Sequence, residues 1–380
     1  MYSRSFMSTL ASHPSASRTA VLFKPFTIKN LTLANRIVMA PMTRSKSPGG
    51  IPGADVAAYY RRRAEGGVGL IVTEGTYVNH PGASSYPDVP HFYGEESLAG
   101  WKRVVEEVHA AGGKIFPQLW HVGIVAKPDR TYNPATVGPS GLAKADKKVT
   151  EPMTQQDIDD VVRAFGEAAA SAERLGFDGL EIHGAHGYLL DQFFWEVTNR
   201  RTDGYGGDLV ARTRFAVEII REIRRNVSPE FVVCLRFSQW KLQDYNARLA
   251  QTPEELERFL APLTAAGVDI FHCSQRRYWE PEFEGSSLNL AGWTKKLTGK
   301  PTITVGSVTL NEEFTKSFVS TDTAGATGLD ELLERMEKNE FDLVAVGRSL
   351  IVNPDWAAKV QRGNVDALLP FQRDVLAQLA

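Results

Sequence analysis

Cysteine is scarce in this chain of 380 residues, with only Cys234 and Cys273, and each lies in an apolar stretch. Two cysteines are too few for a disulfide framework, or for an iron–sulfur or zinc site held by cysteines. Such sparing use of cysteine is typical of a reducing compartment, so we expect a cytoplasmic location.

Long apolar runs and an excess of one charge are also missing. No stretch approaches the roughly 18–20 apolar residues that cross a membrane. The 43 Lys and Arg residues nearly balance the 45 Asp and Glu residues, which gives a net charge of −2. This balance argues against a nucleic-acid binder driven by bulk charge. We therefore expect neither a membrane nor a nucleic acid as partner.

Residues 1–20 differ in composition from the rest of the chain. They are rich in Ser, carry Arg4 and Arg18, contain no acid, and lack the apolar core of a secretory signal. We expect a disordered extension, or an upstream translation start for which Met7 is the alternative start. A transit peptide is a further interpretation. Residues 21–380 are interpreted as one domain.

From Leu22 onward, short β-branched runs alternate with amphipathic segments of helical period. The stretch from Phe26 to Leu33 predicts a small hairpin. The eight strand candidates that follow are Arg36–Ala40, Gly69–Thr73, Lys114–Leu119, Gly179–His183, Val232–Phe237, Asp269–Cys273, Thr302–Val305 and Asp342–Val346. Eight strands with helices between them predict an α/β fold, a closed (β/α)₈ TIM barrel. An open doubly wound sheet is the alternative, but its glycine-rich fingerprint is missing.

Helix signals and two long connections complete this prediction. Thr154 and Thr252 stand at predicted helix starts, and the second opens a capping box with Pro253 at the first helical position. The connections over residues 122–150 and 275–300 are long. We expect them at the C-terminal face of the barrel, either as lids or as ordinary excursions.

The ends of the last two strands indicate a phosphate site. Barrels commonly hold a phosphate in the loops after strands seven and eight. Gly306-Ser307 and Gly347 can bring backbone N–H groups close to phosphate oxygens, and Arg348 can grip them bidentately. The alternative is two ordinary strand-to-helix turns.

The fourth strand ends in a cluster of polar rings. His183 and His186 have the spacing of a metal pair, but zinc needs at least a third protein ligand. They could also be structural histidines. In the interpretation that we favour, both rings donate N–H hydrogen bonds to one oxygen that gains negative charge, while Tyr188 supplies a proton.

Two further strand ends carry candidate ligands for a planar group. Gln118 could bond an amide edge, and Arg236 could stabilise an anionic heterocycle or form a salt bridge with a nearby acid. No partner is evident for the other histidines, including His121 and His272, which we expect to be structural or at the surface.

A long central motif resembles the Old Yellow Enzyme family of flavin oxidoreductases. It reads HGAHGYLLDQF over residues 183–193, followed by TNRRTDGYGG over residues 198–207. Shorter pieces agree in order and spacing from about residue 22 to 355: APMTR at 40–44, EGT at 74–76, QLWH at 118–121, and GR at 347–348 before NPD at 353–355.

The resemblance implies a TIM barrel with non-covalent FMN, reduced by NADPH or NADH. It assigns the isoalloxazine ring to Pro41, Met42, Thr43, Gly75, Gln118 and Arg236, and the phosphate to Gly306, Ser307, Gly347 and Arg348. It implies that His183 and His186 bind the substrate carbonyl, that Tyr188 protonates the α-carbon, and that Tyr86 and Trp120 line the substrate site. No metal is implied, and the choice between monomer and homodimer stays open.

The implied activity is that of an ene-reductase, which passes a hydride from NAD(P)H through FMN to the β-carbon of an α,β-unsaturated carbonyl compound. Two alternatives stay open: the same barrel acting on nitroesters, nitroaromatics, quinones or amines, and a flavin-binding protein without catalysis. The chain departs from the family pattern at Thr43, where some members carry Cys, and in FSQWK at 237–241. Residues 356–380 also lack the Tyr and Gly-Gly pieces that close the site in other members.

Overall fold

A computed structural model describes residues 16–310 and 328–379. The predicted hairpin is present as β1 (Phe26–Ile28) and β2 (Leu31–Leu33). Its apolar side chains pack with Ile270, Ile303 and Leu343 at the N-terminal ends of barrel strands. The hairpin therefore closes the end of the barrel opposite to the strand ends on which the polar candidates lie.

Eight parallel strands form a closed barrel, which confirms the predicted fold class. They are β3 (Ile37–Met39), β4 (Leu70–Tyr77), β5 (Ile115–Trp120), β8 (Gly179–His186), β9 (Val232–Lys241), β10 (Ile270–Ser274), β11 (Thr302–Val305) and β12 (Leu343–Val346). The last strand pairs with the first, with Val344 opposite Ile37. This pairing closes the barrel sheet on itself, so that sheet has no free edge.

Strands β4, β8 and β9 end at Tyr77, His186 and Lys241, well beyond the hydrophobic runs, because they continue into the polar residues that follow; β5 and β10 each end one residue later than predicted. Pro117 lies inside β5, where it cannot donate to the ladder. The register between β4 and β5 shifts between Val72 and Gly75, opposite this proline. The Gln118 N–H is satisfied by the hydroxyl of Thr73 at 3.1 Å, so the irregularity accommodates the proline.

Helices cover the outside of the barrel and the start and end of the described chain. They are α1 (Ala16–Thr19), α2 (Ala54–Glu65), α3 (Glu95–Ala110), α4 (Gln155–Leu175), α5 (Leu189–Phe194), α6 (Arg214–Asn226), α7 (Pro253–Ala266), α8 (Leu290–Thr298), α9 (Asp330–Glu337), α10 (Arg348–Val352) and α11 (Trp356–Gln361). Short 3₁₀ helices lie at Ala20–Phe23, Pro48–Gly50, Ala211–Thr213, Val365–Ala367 and Arg373–Ala377.

The two predicted helix starts behave differently. Thr154 makes the full capping box with Asp157 at the start of α4. At α7, Thr252 accepts the N–H of Glu255, but the Glu255 carboxylate turns back to the N–H of Gln251 rather than to Thr252. The predicted helix start is right, and only one half of the predicted reciprocal pair forms.

The described part of the chain begins inside the predicted extension. Residues 16–19 form α1, and Arg18 bonds Asp330 at 2.8 Å, so helical structure begins before residue 21. The other residues of the predicted extension, 1–15, lie outside the described part. In the long connections, β6 (Leu142–Lys144) and β7 (Lys147–Lys148) form a hairpin, and α8 closes the second one. Within residues 16–310 and 328–379, no helix has the length and apolar character needed to span a membrane.

Candidate active site

A cavity of about 500 Å³ opens at the C-terminal ends of the barrel strands. It brings together nearly all residues that the sequence placed in one site. These are Pro41, Met42, Thr43, Tyr86, Gln118, Trp120, His183, His186, Tyr188, Arg236, Gly306, Ser307, Gly347 and Arg348. Their side chains or backbones reach the cavity from seven of the eight strand ends or from the loops that follow, which is the usual placement of a barrel active site.

Gly75 is the exception among the predicted site residues. It is buried within β4 and does not line the cavity. A Cβ atom at this position would lie 2.4 Å from Cε3 of Trp120. The absence of a side chain therefore lets the Trp120 indole lie flat against the strand, and the contact of Gly75 with the cofactor stays a prediction.

One end of the cavity is shaped for an anionic group. Gly306 has a φ of +143°, and a Cβ there would lie 2.7 Å from the carbonyl oxygen of Gln275, so only glycine fits. Ser307 follows in the left-handed region at φ 52°. Arg348 begins α10 at the end of β12, with its guanidinium carbon 5.7 Å from the ring centre of Phe371.

The floor of the cavity contains a buried hydrogen-bonded set. Gln118 donates from Nε2 to Glu181 at 2.8 Å, and Nδ1 of His272 lies 2.6 Å from the other Glu181 oxygen. Burial alone would raise the pKa of Glu181, but His272, Arg236 and Gln118 bring it down to about 2. Glu181 is therefore a carboxylate, and its negative charge compensates the positive charge of Arg236. The Nε atom of Arg236 is buried without a hydrogen-bond partner.

His183 and His186 lie at right angles, with ring centres 5.2 Å apart. Nδ1 of His183 accepts the N–H of Ala185 at 3.4 Å, which leaves the ring proton on Nε2. Nε2 of His186 lies 2.7 Å from the hydroxyl of Ser274. Burial and the nearby Arg236 lower the pKa of His183 to about 3 and hold that of His186 well below its usual range. Both rings are therefore neutral donors at neutral pH.

Tyr188 lies two residues after His186, as the residue that precedes α5. Its ring centre is 4.9 Å from that of His183 and 4.9 Å from that of Trp120. Burial, the neighbouring Tyr86 and a hydrogen bond between the two hydroxyls raise its pKa well above the usual value. Tyr86 in turn stacks on Trp120 at 5.8 Å. Tyr188 therefore keeps its proton at neutral pH.

The structure also places residues in the cavity that sequence reasoning missed. Trp240 stacks on His186 with ring centres 4.5 Å apart and donates from Nε1 to the carbonyl of Ser274. Phe371 and Leu376 reach the cavity from the C-terminal segment, although that segment lacks the family's closing pieces. The departure at residues 237–241 was the only sequence signal for Trp240, and nothing in the sequence indicated the other two.

The metal interpretation of the histidine pair gains no support. Among the residues that the structure describes, no group of three or more His, Cys, Asp or Glu side chains could hold a metal ion. His272 and His121 are buried, as expected for structural histidines, and each has a partner that the sequence did not reveal, Glu181 and His80.

FMN fits the residues present. The unpartnered Nε of buried Arg236 and the amide of Gln118 suit the polar edge of a flat heterocycle. Gly306, Ser307, Gly347 and Arg348 suit a phosphate because they combine close backbone approach with a guanidinium. The cavity between these two ends is lined by Pro41 and other apolar side chains.

Comparison with known proteins agrees with this arrangement. A sequence profile described as the NADH:flavin oxidoreductase / NADH oxidase family matches residues 21–367. The chain is 33% identical over 364 residues to 12-oxophytodienoate reductase 2 of Arabidopsis thaliana, which covers 91% of this chain and 90% of that protein. It is 36% identical over 353 residues to NADH oxidase of Thermoanaerobacter brockii, 90% of this chain, and spans about half (51%) of that longer protein. Its fold is similar to that of morphinone reductase in complex with tetrahydroNAD, with a TM-score of 0.76 and 30% identity over 93% of each chain.

Proposed function

Because the chain belongs to the Old Yellow Enzyme family of FMN-dependent NAD(P)H oxidoreductases, we propose that it reduces the carbon–carbon double bond of α,β-unsaturated carbonyl compounds. The observation that carries the proposal is the group of two neutral imidazoles and one protonated phenol at one end of the cavity. When bound, FMN would supply hydride transfer from NADPH or NADH to the β-carbon of the substrate.

The protein residues divide between holding the cofactor and serving the substrate. Arg348 and the backbone at Gly306, Ser307 and Gly347 hold the phosphate. The ring is held by Pro41, Met42, Thr43, Gln118 and Arg236. Gly75 acts indirectly, since it makes room for the Trp120 indole.

His183 and His186 bind the substrate carbonyl oxygen and stabilise the negative charge that grows on it. His183 donates from Nε2, because Nδ1 accepts a backbone N–H. Ser274 holds Nε2 of His186, so Nδ1 of that ring is left for the substrate. Preformed donors directed at a developing oxyanion usually supply a large part of a rate enhancement. Tyr86 and Trp120 form the flat wall against which the substrate lies.

Tyr188 delivers the proton to the α-carbon. Its raised pKa means that the phenol keeps this proton until a strongly basic carbon centre develops next to it. A positioned proton donor is needed when a carbon atom of the substrate has to be protonated. Quinone acceptors do not need one, because their oxygens are protonated by solvent. An intact donor pair with Tyr188 beside it therefore favours enones over quinones as substrates.

An anaerobic titration tests the proposed function. NADPH should bleach the flavin absorbance of the purified protein, and cyclohexenone should restore it with formation of cyclohexanone. The proposal is wrong if NADPH bleaches the flavin and benzoquinone restores it, while cyclohexenone does not. Failure of every acceptor would instead favour a flavin-binding protein without catalysis.

We also propose a cytoplasmic location. The proposal is supported by Cys234 and Cys273, both of which are buried free thiols in the structure. In an oxidising compartment cysteines usually form disulfides, so two free thiols favour a reducing one.

A further inference from the structure

Lys241 and Asp191 form an ion pair that the proposed chemistry does not use. Lys241 Nζ lies 2.7 Å from Asp191 Oδ1, and both side chains are fully buried. Neither residue lines the cavity. Taking two charges out of water is costly, and their attraction offsets this only when the geometry is good and the remaining polar atoms are bonded. The other contacts of the pair therefore decide what it does.

The second oxygen of Asp191 holds the turn between β8 and α5. It accepts the N–H of Gly187 at 2.7 Å. Gly187 has a φ of 80°, and His186 before it has a φ of 65°, so two successive residues lie in the left-handed region. This region is uncommon for residues other than glycine, although histidine is among the residue types enriched there, so the contacts around His186 help to hold it in place. The turn is also sterically closed, because a Cβ on Gly187 would lie 1.9 Å from Oε1 of Gln243.

The lysine side of the pair holds the same turn from the end of β9. Lys241 Nζ also donates to the carbonyl of Ser238 at 3.2 Å, and the Ser238 hydroxyl accepts the backbone N–H of His186 at 3.0 Å. One residue further on, the N–H of Leu242 bonds the carbonyl of His186 at 3.2 Å. The backbone of His186 is thus fixed on both sides by the segment around Lys241, and that of Gly187 by Asp191.

We propose that the Lys241–Asp191 pair is a positioning device that keeps the His186–Gly187 turn left-handed and thereby directs His186 and Tyr188 into the cavity. Lys241 touches no reacting atom, so it is a positioning residue. The inference rests on the proposed function for the roles of His186 and Tyr188. It explains why the FSQWK stretch ends in a buried lysine, although a fully buried lysine is rare unless it is paired.

Removal of the ammonium group should release the turn. In Lys241→Met, Asp191 would be left as an unpaired buried carboxylate and would take up a proton. A protonated carboxyl is a weaker acceptor for the Gly187 N–H. Since a misplacement of about 1 Å can cost about 10²-fold in rate, we expect reoxidation by cyclohexenone to fall by about that factor. Reoxidation by benzoquinone, which does not depend on Tyr188, should change little.

The chain offers a closely matched control. Lys295 bonds Asp342 at 2.9 Å, and the second Asp342 oxygen accepts the backbone N–H of Thr302 at 3.0 Å. Lys295 lies in α8 and Asp342 directly before β12, so this pair repeats the pattern at the opposite end of the barrel, with side chains that are 21% and 16% exposed. Lys295→Met should leave both reoxidation rates unchanged.

The experiment uses FMN-loaded wild type, Lys241→Met, Asp191→Asn, the double variant and Lys295→Met. Stopped-flow traces follow reoxidation by cyclohexenone and by benzoquinone, and a titration with 4-hydroxybenzaldehyde follows binding at the donor pair through the flavin absorbance. If the pair works as a unit, the double variant, which carries no buried charge, loses less than the sum of the two single losses. It also replaces Lys241→Met if that variant fails to fold.

Two results would overturn the inference: cyclohexenone rates in folded Lys241→Met equal to wild type, or equal losses with both acceptors. Failure of the proposed function looks different, because wild type itself would then not be reoxidised by cyclohexenone. In that case the phenol titration still decides, since a displaced His186 weakens binding in Lys241→Met but not in Lys295→Met.

Discussion

Gln118 and Glu181 are cross-strand partners in the barrel, and the amide of Gln118 donates to the carboxylate of Glu181 at 2.8 Å. Because Glu181 is ionised, it accepts hydrogen bonds and donates none. The NH₂ group of Gln118 is thus held toward Glu181, and the side-chain carbonyl oxygen of Gln118 is available to accept a hydrogen bond from a ligand in the cavity. A ring that binds there has to present an N–H group at this point.

Glu181→Gln should loosen this orientation, because a glutamine can donate as well as accept and the Gln118 amide can then flip. The lost hydrogen bond to the cofactor is worth about 1 kcal/mol, so the FMN dissociation constant should rise by about fivefold to tenfold. Titration of FMN into apoprotein, followed by flavin fluorescence, measures this change. An unaltered affinity in a folded variant would show that Glu181 does not orient Gln118.

Arg348→Ala should weaken FMN binding because a buried phosphate would lose its charge-assisted partner. Riboflavin has the same ring and no phosphate, so it is the matched ligand for this test. We expect the variant to bind FMN about tenfold or more weakly, for a lost bond to a charged group of roughly 1.5–3 kcal/mol, and riboflavin as tightly as wild type does. Equal losses for the two ligands would move the phosphate away from Arg348.

Thr43→Ala should lower the reduction potential of the bound flavin. We expect the Thr43 hydroxyl, at the end of β3 and in the cavity, to bond flavin O4 and to stabilise the reduced form. Loss of about 1 kcal/mol corresponds to about 20 mV for a two-electron couple. Reduction by NADPH should slow and reoxidation by cyclohexenone should speed up. A potential equal to that of Thr32→Ala, a change in the distant hairpin, would remove Thr43 from contact with the flavin.

Tyr188→Phe should slow reoxidation by cyclohexenone by about 10²–10⁴-fold, the usual contribution of general acid catalysis. Reduction by NADPH and reoxidation by benzoquinone should be nearly unaffected, since neither needs a proton at carbon. His183→Ala should differ, because loss of a donor to the carbonyl oxygen impairs both substrate binding and rate. Wild-type enone rates in Tyr188→Phe would assign the proton to solvent or to another residue.

The rate of reoxidation by cyclohexenone should fall as the pH drops through about 6. Burial raises the pKa of Asp191 to about 6, so below this pH the carboxylate is protonated and its ion pair with Lys241 is lost. His183, with a pKa of about 3, stays neutral throughout. Burial also raises the pKa of Glu74 to about 7, so in every variant Glu74 titrates within the same range of pH. Rate profiles from pH 5 to 8 should therefore lose the step near 6 in Asp191→Asn and also in Lys241→Met, where Asp191 is already protonated, and a step that persists in Asp191→Asn belongs to another group.

The barrel could be predicted because strand period, β-branched runs and intervening helices all indicate the same topology. Thr302–Val305 has the predicted bounds, and polar residues at strand ends gather at one face in any such barrel. The contact of Gly75 with Trp120 could not be predicted, since a glycine beside a site looks the same in the sequence whether it faces the ligand or makes room for a side chain. The role of Lys241 depends on a turn conformation that no local pattern reveals, and Phe371 reaches the cavity from a segment without regular period.

The closure of the barrel also bears on when the protein can acquire its cofactor during synthesis. Cavity residues come from the end of the first barrel strand, at 41–43, and from segments made after all the other barrel strands, at Gly347, Arg348, Phe371 and Leu376. A nascent chain that has completed β11 still lacks Arg348 and the strand that pairs with β3. The complete flavin site therefore exists only after β12 and the residues that follow it have been synthesised, so the flavin is captured by a chain that has already made all eight barrel strands.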